Sequence, residues 1–134
     1  MKIGILGCGV ISNTYIQEIQ RIYEKTLEIV AVADMDQARA KATAEKYQVP
    51  FALTVEELLA YKDIQLIVNL TPPMAHKELN MRILESGKHL FCEKPFALTV
   101  EDAQEVAQLA EEKGLYIGAA PDTFLTAPIQ SCRK

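Results

Sequence analysis

"KIGILGCGVIS", residues 2–12, decides the fold. Ile3, Ile5 and Leu6 make a short apolar strand that stops on Gly7 and Gly9. "SNTYIQEIQRIYEK" (12–25) then places Ile16, Ile19, Ile22 and Tyr23 at helical spacing, with Ser12 or Asn13 near the start. A strand that runs through a glycine turn into a helix begins a βαβ unit. Gly7 allows the tight turn, and Gly9 lets the backbone approach a pyrophosphate. The helix N-terminus beyond them offers free N–H groups and a positive dipole end to an anion. The third position of this G-x-G-x-x-G pattern is Ser12, small enough for close helix–strand packing. Alone the pattern is weak; between a strand and a helix it carries weight. The plain reading is a glycine turn with no ligand.

The same alternation continues outward. "LEIVAVAD" (27–34) is a second strand and "DQARAKATAEKYQ" (36–48) a helix with Asp36 as its N-cap. A short third strand fits near Phe51. Thr54 and Glu57 of "TVEELLA" (54–60) match a capping box. "IQLIVNL" (64–70) is nearly all apolar, as a strand buried on both faces must be. "PMAHKELNMRILESG" (73–87) is a helix stopped by Gly87, and "HLFCE" (89–93) the fifth strand. "TVEDAQEVAQLAEEKG" (99–114) is a helix with Thr99 and Asp102 as a second capping box, and "LYIGAA" (115–120) a sixth strand. Strands alternating with helices predict an α/β fold, three layers deep, around a doubly wound parallel sheet in the order 3-2-1-4-5-6.

The chain has 134 residues, 49% hydrophobic and 24% charged, enough for one domain with a proper core. Its net charge is −4 and it has no basic patch, which argues against nucleic acid or an anionic membrane surface as partner. No stretch approaches the ~20 apolar residues that span a bilayer. Cys8, Cys92 and Cys132 have no metal-ligand spacing, so no metal is expected. Cys8 and Cys92 lie in apolar runs and read as reduced core thiols of a cytoplasmic protein. The composition changes after Ala120, where Pro128, Ile129 and Cys132 start a further helical pattern. Residues 1–120 are therefore expected to be the dinucleotide-binding domain. Residues 121–134 read as a linker and the start of a truncated second domain.

Four strands end, at their carboxyl edge, in loops with special chemistry; in an open α/β sheet ligands bind there. Asp34, at the end of strand two, can accept hydrogen bonds from ribose hydroxyls and would repel a 2′-phosphate. Arg39 complicates that reading, since it could stack on adenine, bind a 2′-phosphate or be a solvated helix residue. NAD is the expected cofactor and NADP the alternative. In "NLTPPMAH" (69–76) two prolines stiffen the loop, Thr71 can present its hydroxyl to a ligand, and His76 reads as a positioning residue rather than a general base. "EKP" (93–95) sets Lys94 at the same edge, able to donate to a ribose or a substrate oxygen.

Together, GxGxxS after strand one, Asp34 after strand two, "TPPMAH" after strand four and "EKP" after strand five resemble the Gfo/Idh/MocA family, the relatives of glucose-fructose oxidoreductase and inositol dehydrogenase. The resemblance covers residues 1–125, and EKP in register with the TPxxxH loop is its most specific part. It implies a second α/β domain supplying substrate contacts and a homo-oligomer interface. It implies that Lys94 contacts the nicotinamide ribose and the substrate hydroxyl, and that Glu93 orients the lysine. Gly7, Cys8, Gly9, Val10 and Ile11 match the glycine loop and its pyrophosphate contacts. Asp34 matches the ribose ligand, and Leu70, Thr71, Pro72 and His76 match the loop beside adenosine and nicotinamide ribose. After strand six many relatives carry a "GFNxR"-like segment, whereas this chain has "GAAPDTFL" (118–125), with Asp122 either near the nicotinamide or capping a turn.

The expected function is hydride transfer between a nicotinamide and a hydroxyl-bearing carbon of a sugar, cyclitol or related small molecule, with Lys94 as the catalytic residue. A non-catalytic dinucleotide sensor of the same fold is the alternative. A third is an enzyme acting on a carbonyl or imine in another substrate class.

Overall fold

Six parallel strands form a single sheet in the order β3-β2-β1-β4-β5-β6. In chain order the elements are β1 (Lys2–Leu6), α1 (Val10–Ile22), β2 (Glu28–Ala33), α2 (Gln37–Tyr47), β3 (Phe51–Leu53), α3 (Val55–Ala60), β4 (Leu66–Asn69), α4 (His76–Glu85), β5 (His89–Cys92), α5 (Val100–Glu112) and β6 (Ile117–Ala119). A 3-10 turn, Pro73–Ala75, leads into α4. The computed structural model describes residues 1–121 and Ser131. The expectations for Asp122, Pro128, Ile129 and Cys132 lie outside the described residues.

Parallel strands buried on both faces need an apolar side chain at every position, and alternation sends them to two cores. Ile3 and Ile5 of β1, Val32 of β2 and Val68 of β4 pack with Ile16 and Ile19 of α1 and with Ala40 and Ala44 of α2. Leu6, Ile67, Leu90 and Cys92 pack on the opposite face with Leu58 of α3, Ile83 and Leu84 of α4, and Val106 and Ala110 of α5. Thr54 and Glu57 form the expected capping box of α3. At α5 the reciprocal device is only half built: Thr99 accepts the Asp102 N–H, while the Asp102 carboxylate pairs with Lys77 of α4 at 2.6 Å. That pair ties α4 to α5.

The first helix starts two residues before the expected Ser12. Its N-cap is Gly9, extended at φ −73° and ψ −170°, and no side chain caps it. The glycine turn itself enters the helix, so Ser12 is already inside the first turn, its hydroxyl donating to the Gly9 carbonyl at 2.6 Å.

Register then aligns the strand ends. Leu6 stands beside Ala33 and Asn69; Asn69 stands beside Cys92, and Cys92 beside Ala119. The loops after β1, β2, β4, β5 and β6 consequently leave from one row across the sheet.

Candidate functional site

The row divides at β1. On one side lie the glycine loop and the end of β2. Gly7 has φ +98°, and a Cβ there would lie 2.8 Å from the Leu70 carbonyl carbon and 2.9 Å from the Thr71 nitrogen. Only glycine fits, because two backbones meet at that point. At Gly9 the opposite holds: a Cβ would meet nothing within 4 Å. Here the backbone is open, next to an uncapped helix with no acidic residue in its first turn. Val10 and Ile11, both exposed, begin that helix.

Asp34 is 6% exposed and lies against the glycine loop. One carboxylate oxygen accepts the Cys8 N–H at 2.8 Å; the other accepts the Asp36 N–H at 2.8 Å. Cys8 thus gives its N–H to the Asp34 carboxylate, and the open backbone of the loop begins beyond it, at Gly9. Arg39 approaches both Asp34 oxygens at 3.4 Å and Asp36 at 3.6 Å. Its guanidinium is half-exposed and faces two carboxylates. Burial pushes the Cys8 thiol up to about 11, and the Cys92 thiol likewise to about 11. Both are free and buried, and protonated at neutral pH.

On the other side, the loops after β4 and β5 are held by a buried polar network. The Asn69 amide donates to Asn80 Oδ1 at 2.8 Å, and Asn69 Oδ1 accepts the Thr71 hydroxyl at 2.6 Å and the Thr71 N–H at 3.2 Å. The Thr71 hydroxyl therefore donates inward, which leaves its oxygen as an acceptor for a ligand. His76 is fully buried. Its Nδ1 lies 2.6 Å from the Pro95 carbonyl oxygen and its Nε2 lies 2.6 Å from the Thr71 carbonyl oxygen. The ring spans the two loops and has no nitrogen left for a substrate. The Asn80 amide adds a 3.4 Å hydrogen bond to the Phe96 carbonyl. Leu70 is buried and Pro72 exposed at the rim.

Glu93 continues the same frame. Its N–H donates to the Asn69 carbonyl at 2.9 Å. One side-chain oxygen accepts the Tyr15 hydroxyl at 2.8 Å and the other accepts the Lys94 N–H at 2.8 Å. The Lys94–Pro95 peptide bond is cis. Lys94 is exposed, and among the described residues its ammonium joins none of the ion pairs. Asn69, Asn80 and Tyr15 escaped the sequence reading. A polar residue closing an apolar strand, and His76 and Asn80 four apart on one helix, were the available signals.

The donor set fits a dinucleotide: open N–H groups at an uncapped helix for a diphosphate, a fixed carboxylate for a ribose diol, and a free ammonium farther along the edge. The Gfo/Idh/MocA family model, an oxidoreductase family with an NAD-binding Rossmann fold, matches residues 1–120. The chain belongs to this family.

The comparisons agree. Inositol 2-dehydrogenase of Salmonella typhimurium is 29% identical over 116 residues, covering 85% of this chain and 34% of that enzyme. An uncharacterized oxidoreductase of Schizosaccharomyces pombe is 34% identical over 122 residues, covering 87% of this chain and 32% of that protein. The structure of KijD10, a 3-ketoreductase from Actinomadura kijaniata in complex with NADP and TDP-benzene, superposes with a TM-score of 0.88 at 26% identity, covering 98% of this chain and 40% of that one. The chain thus spans about a third of the length of the curated relatives it matches. As a Gfo/Idh/MocA Rossmann domain it is an NAD-binding unit. Among the described residues, no helix is long and apolar enough to cross a membrane, and no group of three or more His, Cys, Asp and Glu is placed to hold a metal.

Proposed function

We propose that the protein acts as an NAD(P)-dependent oxidoreductase on a hydroxyl-bearing carbon of a sugar, cyclitol or related small molecule. Residues 1–120 form the nucleotide-binding domain in this reading. Residues 121–134 lead into a second domain that closes the substrate side and supplies a homo-oligomer interface. The observation that carries the reading is the state of Lys94: an exposed ammonium on a loop where the Glu93 carboxylate, the Pro95 carbonyl and the Lys94 N–H are each tied down. A loop held by its neighbours so that one cation stays available is a positioning device.

The Gly9–Ile11 backbone would hold the diphosphate, Asp34 the adenosine ribose, and Thr71 and Lys94 the far half of the cofactor. A nicotinamide held there would supply the carbon that takes or returns the hydride. Lys94 would donate a hydrogen bond to the reacting hydroxyl oxygen, stabilising negative charge that develops there and steering its proton. The buried His76 bridge and the Glu93 contacts keep Lys94 at that point. NAD is favoured over NADP because Asp34 places negative charge at the ribose and Arg39 is already engaged by Asp34 and Asp36. Two free, protonated thiols are in keeping with a cytoplasmic setting.

The test is NADH formation by the full-length protein against a panel of polyols, sugars and cyclitols. Wild type should turn over at least one of them, and Lys94→Ala should lower that turnover by about 10²–10⁴-fold. Equal turnover by the two proteins would contradict the reading.

A further inference from the structure

Among the described residues, Glu93 is the side chain that hydrogen-bonds Lys94's backbone, and one of its two oxygens is held from outside the loop. Tyr15 supplies that hold. It sits on α1, in the second turn after the glycine loop. Its ring packs on Phe91 of β5 with centroids 6.2 Å apart at 56°. Its hydroxyl donates to Glu93 Oε1 at 2.8 Å in a partly buried setting. Glu93 Oε2 accepts the Lys94 N–H at 2.8 Å. A rigid helix, a phenol, a carboxylate and the lysine's own amide thus form one chain of contacts. Charge-assisted O–H···O⁻ bonds are among the stronger ones a side chain can make, and this one spans 78 residues of sequence.

The groove beside it shows what Tyr15 opposes. An open, largely apolar cleft of about 660 Å³ runs between α1 and β5, and Tyr15, Phe91, Glu93, Lys94, Ala120 and Pro121 share its walls. On the opposite face the loop is packed by the His76 and Asn80 contacts. On the cleft side, Tyr15 provides the hydrogen bond that stops the Glu93 carboxylate turning into the opening.

We propose that Tyr15 is a positioning residue for Lys94: through Glu93 it couples the helix that begins at the diphosphate loop to the loop that carries the reacting ammonium. The inference rests on Lys94 acting at the reacting centre, as set out above. Among the described residues, the hydrogen bond of the Tyr15 hydroxyl goes to Glu93 and not to the glycine turn or Asp34, so its removal should leave cofactor binding alone and act on the chemical step.

Tyr15→Phe keeps the ring on Phe91 and deletes the hydroxyl. Glu93→Gln reads the same chain from its other end, because an amide leaves one accepting oxygen where two donors, the Tyr15 hydroxyl and the Lys94 N–H, each hold one. Both are made in the full-length enzyme, with their double variant and Lys94→Ala in the same assay. The expected result is a fall in kcat of about 10–100-fold for Tyr15→Phe, the size of a sub-ångström to 1 Å displacement, with KM for NAD changed less than about twofold. Tyr15→Phe/Glu93→Gln should be no slower than the slower single variant, because the two act through one contact. Wild-type kcat in Tyr15→Phe, a loss confined to KM, or full multiplication of the two single effects would overturn the proposal. If Lys94→Ala is inactive while Tyr15→Phe is normal, only this coupling falls. If Lys94→Ala turns over like wild type, the proposed role of Lys94 fails and takes the coupling with it.

Discussion

Between β1 and β2 the ligand edge is built from backbone. Gly7 meets the Leu70–Thr71 peptide so closely that no Cβ fits, and the Asp34 carboxylate grips the Cys8 and Asp36 N–H groups. Between β4 and β5 the edge is built from side chains: Asn69, Asn80, His76, Tyr15 and Glu93 clamp two loops whose backbone carbonyls and N–H groups they satisfy. The first half presents donors that any diphosphate can use. The second half ties together the two loops beside one lysine. Under the proposed function the first half binds the cofactor and the second holds the reacting group, so substitutions in each half should fail differently.

The largest expected effect is on the second half. Lys94→Ala should lower turnover about 10²–10⁴-fold and leave the melting temperature within a degree or two of wild type, because an exposed ammonium outside the ion pairs contributes little to stability. A large drop in melting temperature would show that Lys94 is structural. Gly7→Ala comes next and strikes the first half. A methyl 2.8 Å from backbone, at φ +98°, has nowhere to go, and should cost roughly 3 kcal/mol, or about 10 °C in Tm. An unchanged Tm would mean the two loops are not in contact.

Alkaline pH samples both halves, since Cys8 stands in one and Cys92 in the other. Burial lifts each thiol from 9.0 to about 11. The unfolded chain therefore loses these protons first. Stability is fully present below pH 9 and declines as pH rises towards 11, by a few kcal/mol at most. Urea midpoints across that range should show the decline, and Cys8→Ala or Cys92→Ala should each remove part of the slope. The smallest effect belongs to Arg39→Ala. Its ion pair with Asp34 at 3.4 Å is half-exposed, so stability should change by less than about 1 kcal/mol. NADH affinity should stay close to wild type, because the carboxylate keeps its two backbone donors. A tenfold loss of NADH affinity, by fluorescence titration, would make Arg39 a direct cofactor ligand.

The strand order and the ligand edge were legible because they follow from local rules. Apolar strands separated by capped helices leave few topologies, and the glycine loop, Asp34, TPPMAH and EKP each announce themselves at a strand end. The second half's clamp was not legible to the same depth. Asn69 meets Asn80, and Tyr15 meets Glu93, only because β1, β4 and β5 are neighbours with α1 and α4 on opposite faces. Such partners are set by tertiary placement, and residue spacing does not reveal them. Thr71 illustrates the cost: its position at the edge was readable, but the inward direction of its hydroxyl depends on Asn69. The start of α1 slipped for a local reason, since a serine looks like a cap while an extended glycine performs the task here.

The division of labour is tested most directly by titrating NADH into the full-length protein and two variants, Asp34→Ala and Lys94→Ala, and reading the dissociation constants by fluorescence. Asp34→Ala removes both the ribose acceptor and the hold on Cys8, and should weaken binding by about tenfold or more; Lys94→Ala should stay within about twofold of wild type. The reverse pattern, with Asp34→Ala binding normally and Lys94→Ala losing NADH, would contradict the account.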